Sequence, residues 1–191
     1  MKHRVIAALF FFTIGTSSTY SQNKCGIYLS VQDYKNHQLK YETDCKKEKN
    51  PVHLNDVFTD KAPVTIVIGD KKISFKKDAI YGFADCNNNI YRFYNNIKYK
   101  IEEPGNICIY SRQVRDIQSK VFKLVKMYYF SVAADTEIIP LSLGNIKNAY
   151  RNNQEFVEAL DVSFSNSDIS GYDDFYQTYK INHIYQVSIR K

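Results

Sequence analysis

Apolar and polar positions along this chain recur with two different periods, and the change falls near Pro140. Before it the pattern is one of short strands and turns. Gly26-Ile-Tyr-Leu-Ser30 predicts a strand end, followed by a turn through Asp33 and Asn36. Leu39-Lys-Tyr-Glu-Thr43 alternates with period two, as a half-buried strand does. Val64-Thr-Ile-Val-Ile68 is a β-branched run, and Gly69-Asp-Lys-Lys72 turns it into Ile73-Ser-Phe75 as a hairpin. A second hairpin is predicted where Ile80-Tyr-Gly-Phe83 and Ile90-Tyr-Arg-Phe-Tyr94 flank Asp85-Cys-Asn-Asn-Asn89. Ile97, Tyr99 and Ile101 face one way while Lys98, Lys100 and Glu102 face the other. Glu103-Pro-Gly-Asn106 then turns the chain into Ile107-Cys-Ile-Tyr110. Val121–Val132 is the longest strand candidate, and apolar residues on both faces of its second half predict a central place in the sheet.

After Pro140 the period is helical. Ser142 is placed to cap a helix carrying Leu143, Ile146 and Tyr150 on one face. Asn152, with Glu155 three residues on, resembles a capping box ahead of Phe156, Val157 and Leu160. Ser167 predicts a third helix with Ile169, Tyr172, Tyr176 and Tyr179 as its packing stripe, whereas Tyr185, Val187 and Ile189 alternate as a strand would. Strands followed by helices give an α+β fold. The expectation is an antiparallel β-meander or small barrel-like sheet over about 26–135, then two or three C-terminal helices over about 141–184.

The extreme N-terminus fits neither pattern. Lys2, His3 and Arg4 precede an apolar run from Val5 to Ile14, and small polar residues follow from Gly15 to Ser21. That order predicts a secretory signal peptide over 1–21, with Thr19 and Ser21 at the −3 and −1 positions of cleavage before Gln22. The run is too short to span a bilayer, which takes about 20 residues. The expected product is a single exported domain over 22–191, periplasmic or extracellular and without a transmembrane segment, β-rich to 139 and helical from 140.

Export changes how the cysteines read. Cys25, Cys45, Cys86 and Cys108 all lie beyond the predicted cleavage point, and an even count in an oxidising compartment reads as disulfides. Four cysteines permit three pairings. The expected one is Cys45–Cys86 with Cys25–Cys108; the first would close a loop of about 40 residues and contribute roughly 4 kcal/mol through the unfolded state. No Cys-x-x-Cys is present and the spacings are wide, so zinc has little support and no metal is expected.

With 16 Tyr, 12 Phe and no Trp, the chain has ample material for a core. The formal charge of +6 falls to about +4 once Lys2 and Arg4 are removed with the leader. Lys46, Lys47 and Lys49 cluster, as do Lys71, Lys72, Lys76 and Lys77. Such runs read as solvated loops and strand edges, or else as a weak polyanion-binding face. Nucleic acid is excluded as a natural partner by export.

Candidate chemistry is sparse. Asp85-x-Asn87-x-Asn89 opens like a calcium loop, but Ile90 stands where that loop needs Gly and Asn96 where it needs a bidentate Glu. A hairpin turn is the stronger reading. His37, His53 and His183 have no metal-hydrolase spacing, and no Gly-x-Ser-x-Gly elbow or glycine-rich phosphate loop is present. Asp173-Asp174 and Glu102-Glu103 are adjacent pairs, poor partners for acid–base work on a strand. No cofactor is expected. The one suggestive constellation is Tyr81, Phe83, Tyr91, Arg92, Phe93 and Tyr94 on the second hairpin. Exposed, it would make a protein hot spot or a stacking platform for sugars; buried, it would fill a Trp-free core.

Taken together, Gly26–Ser30 with Asp33-Tyr34 and Leu39–Tyr41, Leu54-Asn55-Asp56, Ile80–Phe83 with Asp85-Cys86 and Tyr91–Tyr94, Tyr128–Phe130 and Glu137–Leu141 resemble a family of uncharacterised exported proteins of Gram-negative bacteria. The resemblance implies export and one domain, and carries no activity or site residues. The leading functional expectation is a non-enzymatic protein of the cell envelope or extracellular space that binds another envelope protein. Two others stand beside it: a small-ligand or glycan-binding β-domain, and a hydrolase with a spatially assembled site around one of the histidines.

Overall fold

The computed structural model describes residues 24–47, 51–54, 62–164 and 168–190. The predicted leader, Lys49, Asn55-Asp56 and the expected helix cap Ser167 lie outside the described residues. In chain order the elements are β1 (Lys24–Tyr28), α1 (Val31–Lys35), β2 (Lys40–Asp44), β3 (Val52–Leu54), β4 (Val64–Ile68), β5 (Lys71–Phe75), β6 (Gly82–Ala84), β7 (Ile90–Tyr94), β8 (Ile97–Glu103), β9 (Cys108–Arg115), β10 (Leu124–Ser131), β11 (Ile139–Pro140), α2 (Leu143–Ala149), α3 (Gln154–Phe164), β12 (Tyr172–Asp173), β13 (Thr178–Tyr179) and α4 (Lys180–Ser188). The fold is α+β, with strands first and helices after.

Eight strands form one antiparallel sheet in the order β11-β10-β9-β8-β7-β6-β1-β2. From β6 to β11 it is a simple meander. The sheet is open, with β2 and β11 at its edges, so the barrel alternative is not the one adopted. Strands β3, β4 and β5 form a second sheet of their own, inserted between β2 and β6. That departs from the single sheet expected. Strand β10 is also less central than its apolar pattern suggests. Its outer neighbour β11 covers only Tyr129 and Phe130, and Leu124 and Met127 in its first half are exposed.

Alternation of side chains gives the large sheet two different faces. One row of cross-strand partners runs Ile27–Phe83–Tyr91–Lys100–Ser111–Tyr128 from β1 to β10. At the β1 end of this face, Ile27, Phe83 and Phe93 pack against Val64 and Ile66 of the small sheet. At the β10 end, Ile109 and Phe130 pack against Ile146, Phe156, Leu160 and Ile181 of the helices. The opposite face carries Tyr28, Tyr99, Tyr110 and Cys108, closed over by Tyr34 of α1 with Ala134 and Ile138. Gly82 is required where β6 meets β7, because a Cβ there would lie 1.9 Å from the Tyr91 carbonyl oxygen.

The helical half follows local capping chemistry. Ser142 caps α2 by accepting from the Asn145 amide, as predicted. The cap of α3 falls one residue later than expected, on Asn153, whose Oδ1 accepts from the Phe156 amide at 3.0 Å. The third predicted helix is instead a β-hairpin, β12–β13. Asp173 Oδ1 accepts from the amides of Phe175 and Tyr176, and Gln177 takes a left-handed φ of 53°, so turn chemistry overrides the helical spacing of the tyrosines. The terminal segment read as a strand is the helix α4. Ile181, Ile184 and Tyr185 share its packed side, while Val187 and Ile189 are exposed. Glu103 fastens this half to the sheet: it accepts from Thr178 Oγ1 (2.6 Å), the Tyr179 amide (2.8 Å) and Asn182 Nδ2 (2.7 Å).

Candidate functional site

The small sheet and the helices cover the two ends of one face of the large sheet, and a trough of about 510 Å³ lies between them. Strand β8 contributes Lys98, Lys100 and Glu102, β9 contributes Ser111 and Gln113, β10 contributes Lys126, and Tyr91 of β7 forms the wall toward the small sheet. The trough has a structural cause. The pairing of β8 with β9 ends at Lys100–Ser111, so β9 from Arg112 to Arg115 pairs with β10 alone. Arg112 borders the trough, but its guanidinium hydrogen-bonds Tyr99 on the other face.

Two ammonium groups, of Lys100 and Lys126, thus flank one carboxylate, with Lys98 farther along the trough. Glu102 accepts from Ser111 Oγ at 2.5 Å, pairs with Lys126 Nζ at 2.8 Å, and lies 3.5 Å from Lys100 Nζ. Burial on its own would raise the Glu102 carboxyl; the hydrogen bonds from Lys126 and Ser111, with the charges of Lys126 and Lys100, outweigh it and hold the group below the usual carboxylate range. Lys126 is correspondingly raised: burial opposes the charge, but Glu102 and Tyr128 more than offset it. The Lys98 ammonium sits 5.5 Å from the centre of the Tyr91 ring. Burial, with the charge of Asp85 and a hydrogen bond to it, pushes the Tyr91 hydroxyl up to about 12. That hydroxyl stays neutral across physiological pH, so the trough presents three lysines and one carboxylate to solvent.

The aromatic hairpin singled out from sequence is split between environments. Tyr81, Phe83, Arg92 and Phe93 are buried. Tyr94 is half-buried on the aromatic face, and Tyr91 alone lines the trough. Arg92, 4% exposed, donates to the Tyr110 hydroxyl (3.0 Å) and the Thr136 carbonyl (2.6 Å). Its guanidinium lies 5.6–5.8 Å from the ring centres of Tyr81, Tyr94 and Tyr110. It is a caged core cation. The trough lysines were visible only as the polar side of a half-buried strand. The missed signal is that Ser111, Gln113 and Lys126 continue the same polar side across two more strands.

The lysine clusters are mostly solvated. Lys46, Lys47, Lys71, Lys72 and Lys76 are exposed, while Lys77 is buried with its ammonium 5.8 Å from the Phe93 ring centre. Asp85 serves its hairpin: its carboxylate accepts from the Asn87 and Asn89 amides and from Asn89 Nδ2. His183 stacks on Tyr176 at 3.8 Å and borders a shallow groove with Glu155, Ser163 and Ser188.

Cys45 and Cys86 are bonded, with Cα atoms 5.5 Å apart. The expected Cys25–Cys108 bond is not present. Cys25 is on β1 and Cys108 opens β9, four strands away or roughly 19 Å at ordinary strand spacing, beyond the reach of a disulfide. Both are buried thiols; Cys25 donates to the Thr43 carbonyl and Cys108 to that of Gly105.

No protein-family profile, curated protein or solved structure matches this chain. Among the described residues no helix is long and apolar enough to cross a membrane.

Proposed function

We propose that the protein is an exported binding protein whose trough holds a small, anionic, hydroxyl-rich ligand, an acidic saccharide being the class that fits. One observation carries this: Lys98, Lys100 and Lys126 converge with Glu102, Ser111 and Gln113 in one solvent-open trough flanked by the Tyr91 ring. The ammoniums suit carboxylate or sulfate groups, and Glu102, Ser111 and Gln113 suit hydroxyls. The volume is within the range of small-ligand sites, about 300–1,000 Å³. Export is supported by the leader and by the Cys45–Cys86 bond. Calorimetry of the purified, oxidised protein with galacturonate oligomers against neutral galactose oligomers tests the reading. Binding of the acidic series only, weakening with salt, is expected; equal affinity for both series, or none for either, rejects it. N-terminal sequencing of exported protein is expected to begin at Gln22.

A second reading, binding to another envelope protein, is favoured by the β9–β10 arm. At and beyond its tip end this hairpin exposes Ile117, Val121 and Phe122, with Leu124 at the start of β10, and Ile117 is 91% accessible. Clusters of exposed apolar residues, where they form one patch, mark protein contacts. Cross-linking in the source cell is expected to join the arm to a partner, and Phe122→Ser to abolish the product; an unchanged product removes this reading.

A further inference from the structure

We propose that reduction of the Cys45–Cys86 disulfide uncovers a three-thiolate site, completed by Cys25, for a soft, thiophilic d10 cation such as Cu(I) or Zn(II). The three sulfur atoms lie within 4.8 Å of one another. Sequence spacing hides this cluster, since the cysteines are 20 and 41 residues apart. Topology creates it. Strand β1 lies between β2 and β6. Cys25 pairs with Thr43 on one side, just ahead of Cys45, and its neighbour Gly26 pairs with Ala84 on the other, just ahead of Cys86. The three thiols therefore end three adjacent strands at one edge of the sheet.

The cluster has what a metal site requires beyond ligand count: a second shell and an access path. Cys25 is fully buried and its sulfur is directed to the Thr43 carbonyl at 3.8 Å. A solvent-open cavity of about 190 Å³, lined by Cys25, Cys86, Phe83 and Val52, lies against two of the three cysteines. Lys98 also lines this cavity. Thiolates select soft cations, and three of them satisfy trigonal Cu(I) or leave a fourth position for water on Zn(II).

The chemistry balances as follows. A dithiol reductant delivers two electrons and two protons to the Cys45–Cys86 bond, giving two thiols and the cyclic disulfide of the reductant. The cation then displaces up to three thiol protons from Cys25, Cys45 and Cys86. In the oxidised protein only the Cys25 thiol remains, so the site exists in one redox state only.

The test titrates the protein with Cu(I), and separately with Zn(II), against competing chelators, after reduction by dithiothreitol that is removed anaerobically. Circular dichroism follows the fold throughout. One equivalent bound by the reduced protein and none by the oxidised protein is expected. Which arm saturates at lower free metal identifies the cation. Cys108→Ser is expected to leave affinity unchanged. Cys25→Ser, which keeps the native disulfide and so folds before reduction, is expected to weaken binding by more than the roughly 10- to 100-fold that loss of a second-shell partner costs. Equal affinity of Cys25→Ser and the parent, no binding by either, or loss of the folded spectrum on reduction overturns the proposal.

Discussion

The two faces of the large sheet are built from the same strands and both carry charge, yet they do opposite things with it. On the aromatic face Arg92 is caged by Tyr81, Tyr94 and Tyr110 under α1, and both its hydrogen bonds end on neutral protein oxygens. On the other face Lys98, Lys100 and Lys126 line an open trough, and Lys100 and Lys126 pair there with the Glu102 carboxylate. The difference lies in what covers each face. A continuous cover turns a cation into a packing element whose charge is fixed inward. A cover split between the small sheet and the helices leaves the cations beside solvent, where a ligand can reach them. A charged residue among aromatics is therefore weaker evidence for a site than a polar row left between two covers.

Substitutions can break this contrast, and the largest effect belongs to the caged face. Arg92→Ala removes a large buried side chain and leaves the Tyr110 hydroxyl and Thr136 carbonyl to find other partners. The cost is expected to be about 3–5 kcal/mol, lowering the melting temperature by roughly 10 °C in a chain of this size. Calorimetric unfolding measures it, and a loss under about 1 kcal/mol would remove the cage from the account. Gly82→Ala is expected to cost about 3 kcal/mol, since its Cβ meets the Tyr91 carbonyl and β7 must shift.

Next in size is the anchor of the helical half. Glu103→Ala strips partners from Thr178, the Tyr179 amide and Asn182, with an expected loss of about 2–3 kcal/mol in a urea titration. Its neighbour Glu102 is expected to behave differently, because it faces the trough. Lys100→Ala and Lys126→Ala are each expected to leave stability within about 0.5 kcal/mol of the parent while weakening an acidic saccharide about tenfold, 1.4 kcal/mol. A stability loss matching that of Arg92→Ala would make the trough another part of the core.

The smallest effect is the most diagnostic. Glu102 competes with the ligand for Lys126 and Lys100, so Glu102→Gln is expected to tighten a sulfated saccharide a few-fold. The pH dependence follows from the direction of its shift. A carboxyl held below its unfolded value stabilises the fold above that unfolded value, and the contribution disappears as pH falls through the folded value. Acid unfolding of the parent below about pH 4.3 is therefore expected to be steeper than that of Glu102→Gln. In the same window parent affinity for the sulfated ligand, whose charge is constant, is expected to rise toward that of the variant; a flat profile would separate Glu102 from the ligand.

Much of this fold is legible in sequence because local chemistry and tertiary packing agree. The β4–β5 and β6–β7 hairpins, the half-buried β8 and the Ser142 cap follow from turn residues and alternation. The misreadings come where two local signals compete. Tyr172, Tyr176 and Tyr179 have helical spacing, but Asp173 and Gln177 make a tight turn between them. Tyr185, Val187 and Ile189 alternate, but Ile181 and Ile184 commit the segment to a helix. The small sheet was not foreseen as separate because its strands read like any others; only its packing over Ile27, Phe83 and Phe93 sets it apart. The trough was hidden for a related reason. A row such as Lys100–Ser111 exists only once the register is known, and the splay of β9 from β8 that opens it leaves no mark in composition. The Cys45–Cys86 bond was expected, whereas the nearness of Cys25 to it depends on β1 running between the two strands.

The most direct test of the contrast is a titration of the 15N-labelled, oxidised protein with a galacturonate trimer, followed by amide chemical shifts. The account predicts saturable shifts on one face only, at Lys98, Lys100, Glu102, Ser111, Gln113 and Lys126, with Arg92, Tyr99 and Tyr110 unmoved. Shifts centred on the Arg92 cage, or a trough that stays silent at saturating ligand, would contradict it.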